Sequence, residues 1–256
     1  PLKLEAAENT REVPQPIQEV FQSDLVYPQE EDEIQFTFFP SFRQGESAKA
    51  ARTLVEIEYG ITDAFQLIFE WEGLLYKEPD NGPAVSGPGN LELGGQYSWM
   101  ALGDGNTHFA FGTLVEFPTG PVDNGLTDGF LEWKQFVILA RDFPRWNQSQ
   151  LFVELGFNWV DRIRTPSQGA ARKAHDLFWN VGGFLPIGPW RLTLEINGSN
   201  NQWNGGNNND VFLTPGVIYK LSKAWEAGVA VPVGLTPSSD SYRIVGYLMW
   251  EFELNE

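Results

Sequence analysis

The sequence predicts an all-β fold, a closed antiparallel up-and-down transmembrane β-barrel of about 12 strands. Three observations predict it. From about Glu33 onward, apolar and polar residues alternate with period two, as in strands with one wet and one dry face. The connections between these segments are long and short by turns. The 256 residues include 26 Gly and 17 Pro, which suits many turns and few long helices. The longest stretches without a charge or a turn former are short, such as Phe136–Ala140, so no helix can span a bilayer. Cys is absent, which excludes a disulfide scaffold and any thiolate metal site. With 17 basic against 34 acidic residues the net charge is −17, which argues against a nucleic-acid binder.

The elements follow in order. Val55, Ile57 and Tyr59 alternate with Glu56 and Glu58; Phe65, Leu67, Phe69 and Trp71 alternate with Gln66, Ile68, Glu70 and Glu72. Leu91, Leu93, Tyr97 and Trp99 stand against Glu92, Gln96 and Ser98. Leu151, Val153, Leu155, Phe157 and Trp159 oppose Glu154, Gly156 and Asn158, and Trp190, Leu192, Leu194 and Ile196 face away from Arg191, Thr193, Glu195 and Asn197. Helical spacing would mix acids and aromatics on one face, so these are strands. The same reading places strands at 33–42, 51–60, 65–75, 89–101, 107–117, 129–143, 148–161, 174–186, 190–197, 210–221, 225–235 and 242–252. Gaps 43–50, 76–88, 118–128, 162–173, 198–209 and 236–241 are the long ones; 61–64, 102–106, 144–147, 187–189 and 222–224 are the short ones. Outer-membrane barrels keep short turns on the periplasmic side and long loops outside, whereas a soluble sandwich has no reason to keep such a rhythm.

A barrel this wide is too large for side chains to fill, so its apolar set is expected to face lipid and its carboxylates a wet lumen. The predicted lumen residues are Glu56, Glu58, Glu70, Glu72, Glu92, Glu116, Glu132, Lys134, Glu154, Arg191, Glu195, Lys220, Glu226 and Arg243, with Glu251 and Arg52 beside them. Their acidic surplus favours cations or neutral polar solutes over anions, unless the charges form a structural network in a nearly closed barrel. Membrane-interface aromatics are expected at both rims. Tyr59, Tyr97, Trp99, Trp190, Tyr219, Trp225, Trp250 and Phe252 stand near the short turns; Trp71, Trp133 and Trp159 stand near the long loops. Strand 129–143 departs from this pattern, with Gln135 outward and Phe136 and Ile138 inward; Phe178 and Phe184 also point inward. Either a bulge shifts the register or the lumen is partly apolar.

The run FLTPGVIYKLSKAWEAGVAVPVGL from Phe212 to Leu235, with a last strand ending YLMWEF at Phe252, and GPGNLELGGQY at Gly87–Tyr97, resemble one family. It is the outer-membrane transporter family of the phenol-degradation meta-pathway type, whose hairpin motif has Asp where Asn90 stands. The resemblance implies an outer-membrane barrel that passes small organic compounds, with no catalytic residues. An apolar cargo sits awkwardly with an acidic lumen. Trp250 and Phe252 also resemble the terminal aromatic signal of outer-membrane barrels, displaced here by Glu253–Glu256. Pro1 is not an initiator residue, so a signal peptide is expected to have been removed before residence in the outer membrane.

Residues 1–32 form an acidic segment and 33–256 the barrel. Residues 1–33 carry a net −7, and Pro14, Pro16 and Pro28 break any long helix. The expectation is a periplasmic extension, solvated or loosely docked; the sharper alternatives are a plug and a docking strip for a protein partner. Acidity disfavours plugging an acidic lumen. The functional expectation is therefore a barrel that passes or binds small solutes, with a non-conducting barrel anchoring a partner through residues 1–32 as the alternative. Expected contacts are outer-membrane lipid and lipopolysaccharide, with Arg162, Arg164, Arg172 and Lys173 as candidates for the latter's phosphates. No cofactor, metal or enzymatic activity is expected. For His108 near Ser98 neither a third group to orient the imidazole nor a donor pair for an oxyanion can be placed from sequence, and the spacing of Asp123, Asn124 and Asp128 is not diagnostic of a cation site.

Overall fold

The computed structural model describes residues 14–45, 48–122, 124–161 and 174–254. Its strands are β1 Glu33–Gln44, β2 Ala48–Thr62, β3 Phe65–Pro79, β4 Val85–Gly87, β5 Leu91–Leu102, β6 Thr107–Phe117 and β7 Glu132–Phe143. They continue as β8 Ser149–Val160, β9 Asp176–Ile187, β10 Trp190–Asn200, β11 Asn209–Lys220, β12 Trp225–Ala230, β13 Val233–Gly234 and β14 Tyr242–Glu253. Each pairs antiparallel with its neighbours, and β1 meets β14 from Glu33↔Glu253 to Gln44↔Tyr242, which closes the sheet. The short β4 pairs only with the end of β3. β12 and β13 are two halves of one stave, parted at Pro232, which has no N–H to give the ladder. The wall is thus a twelve-strand barrel.

Connections 63–64, 103–106, 144–148, 188–189 and 221–224 crowd one rim and the longer ones the other. The first two long gaps differ: the β1–β2 ladder runs to Gln44↔Lys49, into the stretch 43–50 expected as a loop, and β3 continues to Pro79 with β4 at Val85–Gly87, both inside the expected gap 76–88. A bulge at Gly73 lets Thr53 face Leu74 and Leu54 face Glu72, keeping Leu74 and Tyr76 outside past the extra residue.

The two faces separate by exposure. Leu139, Leu155 and Leu194 are 55%, 54% and 53% exposed, whereas Glu154 and Glu195 are 1% and 0%. The β7–β8 register is unbroken from Glu132↔Val160 to Phe143↔Ser149, so no bulge rescues Phe136 and Ile138. Both are buried inside, as is Phe184, and the interior is partly apolar.

What fills that interior corrects the sequence reading. Residues 14–32, expected as a solvated or loosely docked extension, thread the barrel, with only Pro14, Glu30 and Glu31 exposed: Ile17, Val20, Phe21, Leu25, Val26 and Tyr27 are buried against Leu114, Phe136, Ile138, Phe152, Phe184, Ile218 and Met249. Acidity does not keep the segment in solvent, because its acids are outnumbered locally by apolar side chains that have no other core to join. Residues 1–13 lie outside the described residues.

Candidate functional site

The segment 14–32 loops in from the short-turn rim and returns to it. On the way in, the carbonyl of Pro16 accepts the Arg191 guanidinium, and Gln18 donates to Glu251 at 2.6 Å. On the way out, the Gln29 N–H donates to Gln66 at 2.7 Å and that of Asp32 to the Gly60 carbonyl at 3.0 Å. The apex, Phe21–Asp24, sits midway along the bore. There Glu195 accepts the N–H groups of Phe21 (3.0 Å) and Gln22 (3.2 Å) and the Ser23 hydroxyl (2.6 Å). Glu154 accepts the Asp24 N–H (3.2 Å) and the Asn180 amide (2.6 Å), while Lys134 pairs with the Asp24 carboxylate at 2.9 Å. A buried irregular backbone must find partners outside itself, and the carboxylates of the wall supply them. The Phe21 ring lies where a Cβ on Gly216 or Gly228 would stand 2.5 or 3.0 Å from it, so two side-chain-free positions make its socket.

Tyr27 donates to Asp142 at 3.0 Å and accepts the Gln150 amide at 2.8 Å. Burial, then the adjacent Asp142 carboxylate, raises its hydroxyl well above the ordinary tyrosine range, so it remains a donor. Gln96 caps the Leu25 carbonyl at 3.0 Å. These amides are not among the residues singled out from sequence; the inward parity of Gln66 and Gln96 is the signal that finds them.

Strand parity puts the fourteen acidic and basic residues singled out from sequence on the inner face. Glu56, Glu58, Glu132, Glu154, Arg191, Glu195 and Glu226 are buried; Glu70, Glu72, Glu92, Glu116, Lys134, Lys220 and Arg243 are half-buried. They do not form one site. Glu56, Glu70, Glu72, Lys134 and Arg243 border a cavity of about 580 Å³, whose lining also includes Val20–Asp24 of the luminal segment. Arg52 pairs there with Glu72 at 3.3 Å. Glu154, Asn180, Asn197, Phe178 and Phe212 line a second cavity of about 310 Å³ beside it. Lys134 lies 4.9 and 5.4 Å from the ring centres of Phe136 and Phe178, and Arg243 4.1 Å from that of Phe212, so aromatic rings and cations share this vestibule. Lys220 and Glu226, 3.9 Å apart, and Arg191 stand near the short-turn rim, away from it.

His108 is fully buried. Its Nδ1 accepts the Ala101 N–H at 3.0 Å and its Nε2 faces Asp142 at 2.9 Å, so both ring nitrogens are occupied, while Ser98 accepts from Gln96. Asp142 is thus the orienting group that the sequence could not place, but with Nδ1 taken by a backbone N–H no nucleophile–base pair is assembled. His175 packs on Trp159, with ring centres 4.7 Å apart. Asp123 and the basic residues Arg162, Arg164, Arg172 and Lys173 lie outside the described residues; Asp128 gathers with Glu116 and Glu132.

The aromatics singled out for the rims point outward. Trp71, Tyr97, Trp99, Trp133, Trp159, Trp190, Trp225 and Trp250 are exposed, and Tyr59, Tyr219 and Phe252 half-buried. At the short-turn rim they form contacts, Tyr97–Trp99 at 4.6 Å, Trp190–Tyr219 at 4.5 Å and Trp250–Phe252 at 4.6 Å.

No family model and no curated protein matches this chain. Solved structures do. The COG4313 outer membrane channel from Pseudomonas putida F1 superposes with a TM-score of 0.74 at 12% identity, over 91% of this chain and 100% of that one. The NanC porin gives 0.58 at 10% identity, over 86% and 100%. The KdgM porin gives 0.52 at 13% identity, over 86% and 99%. At such identities the likeness is one of fold, and the fold is that of outer-membrane channels.

Proposed function

We propose that this chain is a bacterial outer-membrane channel for small solutes whose own N-terminal segment gates the bore. One observation carries the reading: a closed barrel, greasy outside, holds a polar vestibule that ends on a segment fixed by apolar packing and by hydrogen bonds to the wall rather than by strand pairing. A plug held that way can leave without breaking the wall. In this reading the chain resides in the outer membrane, with the rim aromatics at the lipid interfaces and lipid and lipopolysaccharide around it. The likeness to proteins named as a channel and a porin and the occupied nitrogens of His108 support a role without catalysis.

The wall carries more carboxylates than cations, which favours cations and neutral polar solutes. Phe136, Phe178 and Phe212 add an apolar stripe beside Lys134 and Arg243. A lumen of this mixed kind suits small organic molecules with one polar end, which reconciles an acidic wall with the cargo implied by the resemblance to the meta-pathway transporter family. A bore this full also favours the alternative, a non-conducting barrel that anchors a partner. The partner strip is then limited to residues outside 15–29, which are buried or half-buried in the bore.

Planar-bilayer recording tests both. The full chain is expected to give small, intermittent currents, and the chain lacking residues 1–32 a larger steady current with a cation-preferring reversal potential. Silence from both proteins, each inserted as a folded barrel, would leave only the anchoring barrel.

A further inference from the structure

Where the luminal segment meets β2, three carboxylates converge. Oxygens of Glu19, Glu56 and Glu58 all lie within 4.8 Å of one another. Glutamines hold two of them in place: Gln35 donates to Glu19 at 3.1 Å and to Glu58 at 3.2 Å, while Gln29 and Gln66 donate to Glu58 at 2.8 and 2.5 Å. The third is different. Glu56 is only 8% exposed, and its Oε1 has no hydrogen-bond partner. Among the described residues no Lys or Arg forms an ion pair with any of the three; Lys134 is taken by Asp24 and Arg52 by Glu72.

Three acids at this spacing, one buried and unpartnered, repel one another strongly unless a positive charge sits among them. Ca²⁺ binds six to eight oxygens at about 2.3–2.6 Å, so two of its ligands stand up to about 5 Å apart. The observed spacing falls within that reach. Glu19 and Glu56 border the 580 Å³ cavity, so an ion has an aqueous approach from the long-loop rim. The glutamines fix the ligand orientations, as groups behind a metal's own ligands commonly do.

We infer that Glu19, Glu56 and Glu58 bind a divalent cation, Ca²⁺ by size and ligand type, which fastens the luminal segment to the barrel wall. The ion joins one ligand from the segment to two from β2, so its removal frees the segment at that point. The binding site stands on these residues alone; only its effect on current rests on the channel reading above.

The test is calorimetric titration of the full chain in detergent with CaCl₂ at neutral pH, in parallel with Glu56→Gln and Glu19→Gln. Barrel integrity of each is checked by the mobility shift between heated and unheated samples. The expected result is saturable binding near one ion per chain, weakened at least tenfold in both variants, with both barrels intact. Equal binding by all three proteins would overturn the site, since the ion would then be held elsewhere, for instance by bound lipopolysaccharide. No binding by the full chain would also overturn it and assign the compensating charge to protons. Bilayer currents recorded with Ca²⁺ and then with chelator add the consequence, longer open times once the ion is removed. A site confirmed by calorimetry in a barrel that stays silent both as the full chain and without residues 1–32 would refute the channel reading and leave the site intact.

Discussion

Replacing Glu195 by Gln should release the luminal segment while sparing the barrel. The buried carboxylate accepts from three donors, on Phe21, Gln22 and Ser23, at 3.0, 3.2 and 2.6 Å. In glutamine one oxygen becomes an amide nitrogen. The least costly rotamer turns that nitrogen toward the Phe21 N–H, which loses one bond and sets two donors face to face. The other two bonds pass from charge-assisted, about 1.5–3 kcal/mol each, to neutral, about 0.5–1.5 kcal/mol. Relief of a buried charge offsets part of this, and the net loss is about 2–4 kcal/mol of docking free energy. That multiplies the released population by about 30- to 1,000-fold. The chain has no Cys, so Val26→Cys, at a position fully buried by the docked segment, supplies a single reporter thiol. If opening is fast, its modification rate by a soluble maleimide follows the released population. The Glu195→Gln background should accelerate labelling by that factor with the folded gel mobility retained. Labelling within threefold of the parent would refute the idea that this carboxylate anchors the segment.

Two further outcomes are expected. Leu194→Arg and Val153→Arg, on the outer face near mid-strand, should each cost the barrel about 2–4 kcal/mol in reversible unfolding from lipid vesicles; no cost would mean that this face does not meet hydrocarbon. The docking of Tyr27 should depend on pH at the alkaline end. Its folded hydroxyl is raised, so docking is at full strength below the free tyrosine value of about 10 and weakens as pH climbs above it. Reporter labelling should rise over that range in the parent, with a smaller rise in Tyr27→Phe, and an identical rise in both would sink the assignment.

The wall was legible residue by residue because a strand exposes its environment with period two. Glu56 and Glu58 between Val55, Ile57 and Tyr59 declare a wet face and a dry one before any partner is known. Phe136 and Ile138 contradicted that rule only because the rule assumes a water-filled interior; they are apolar because Phe21, Val26 and their neighbours pack inside. The same cause hid the luminal segment. Ile17, Val20, Phe21, Leu25, Val26 and Tyr27 are dense for a solvated stretch, but without a period they look like an irregular, acidic tail.

Alternation, turn spacing and the outward aromatics are local properties, written in neighbours one to ten residues apart, and they determined the barrel and its two faces. What occupies the bore was decided only by closure of the sheet. Bringing β1 onto β14 creates an enclosed polar wall whose Glu195, Glu154 and Gln66 lie far along the chain from Phe21, Asp24 and Gln29, and hydrogen bonds between such distant groups leave no trace in sequence spacing. The meeting of Glu19 with Glu56 and Glu58 has the same origin. Like charges apart in sequence carry no sign of repulsion until the fold brings them together.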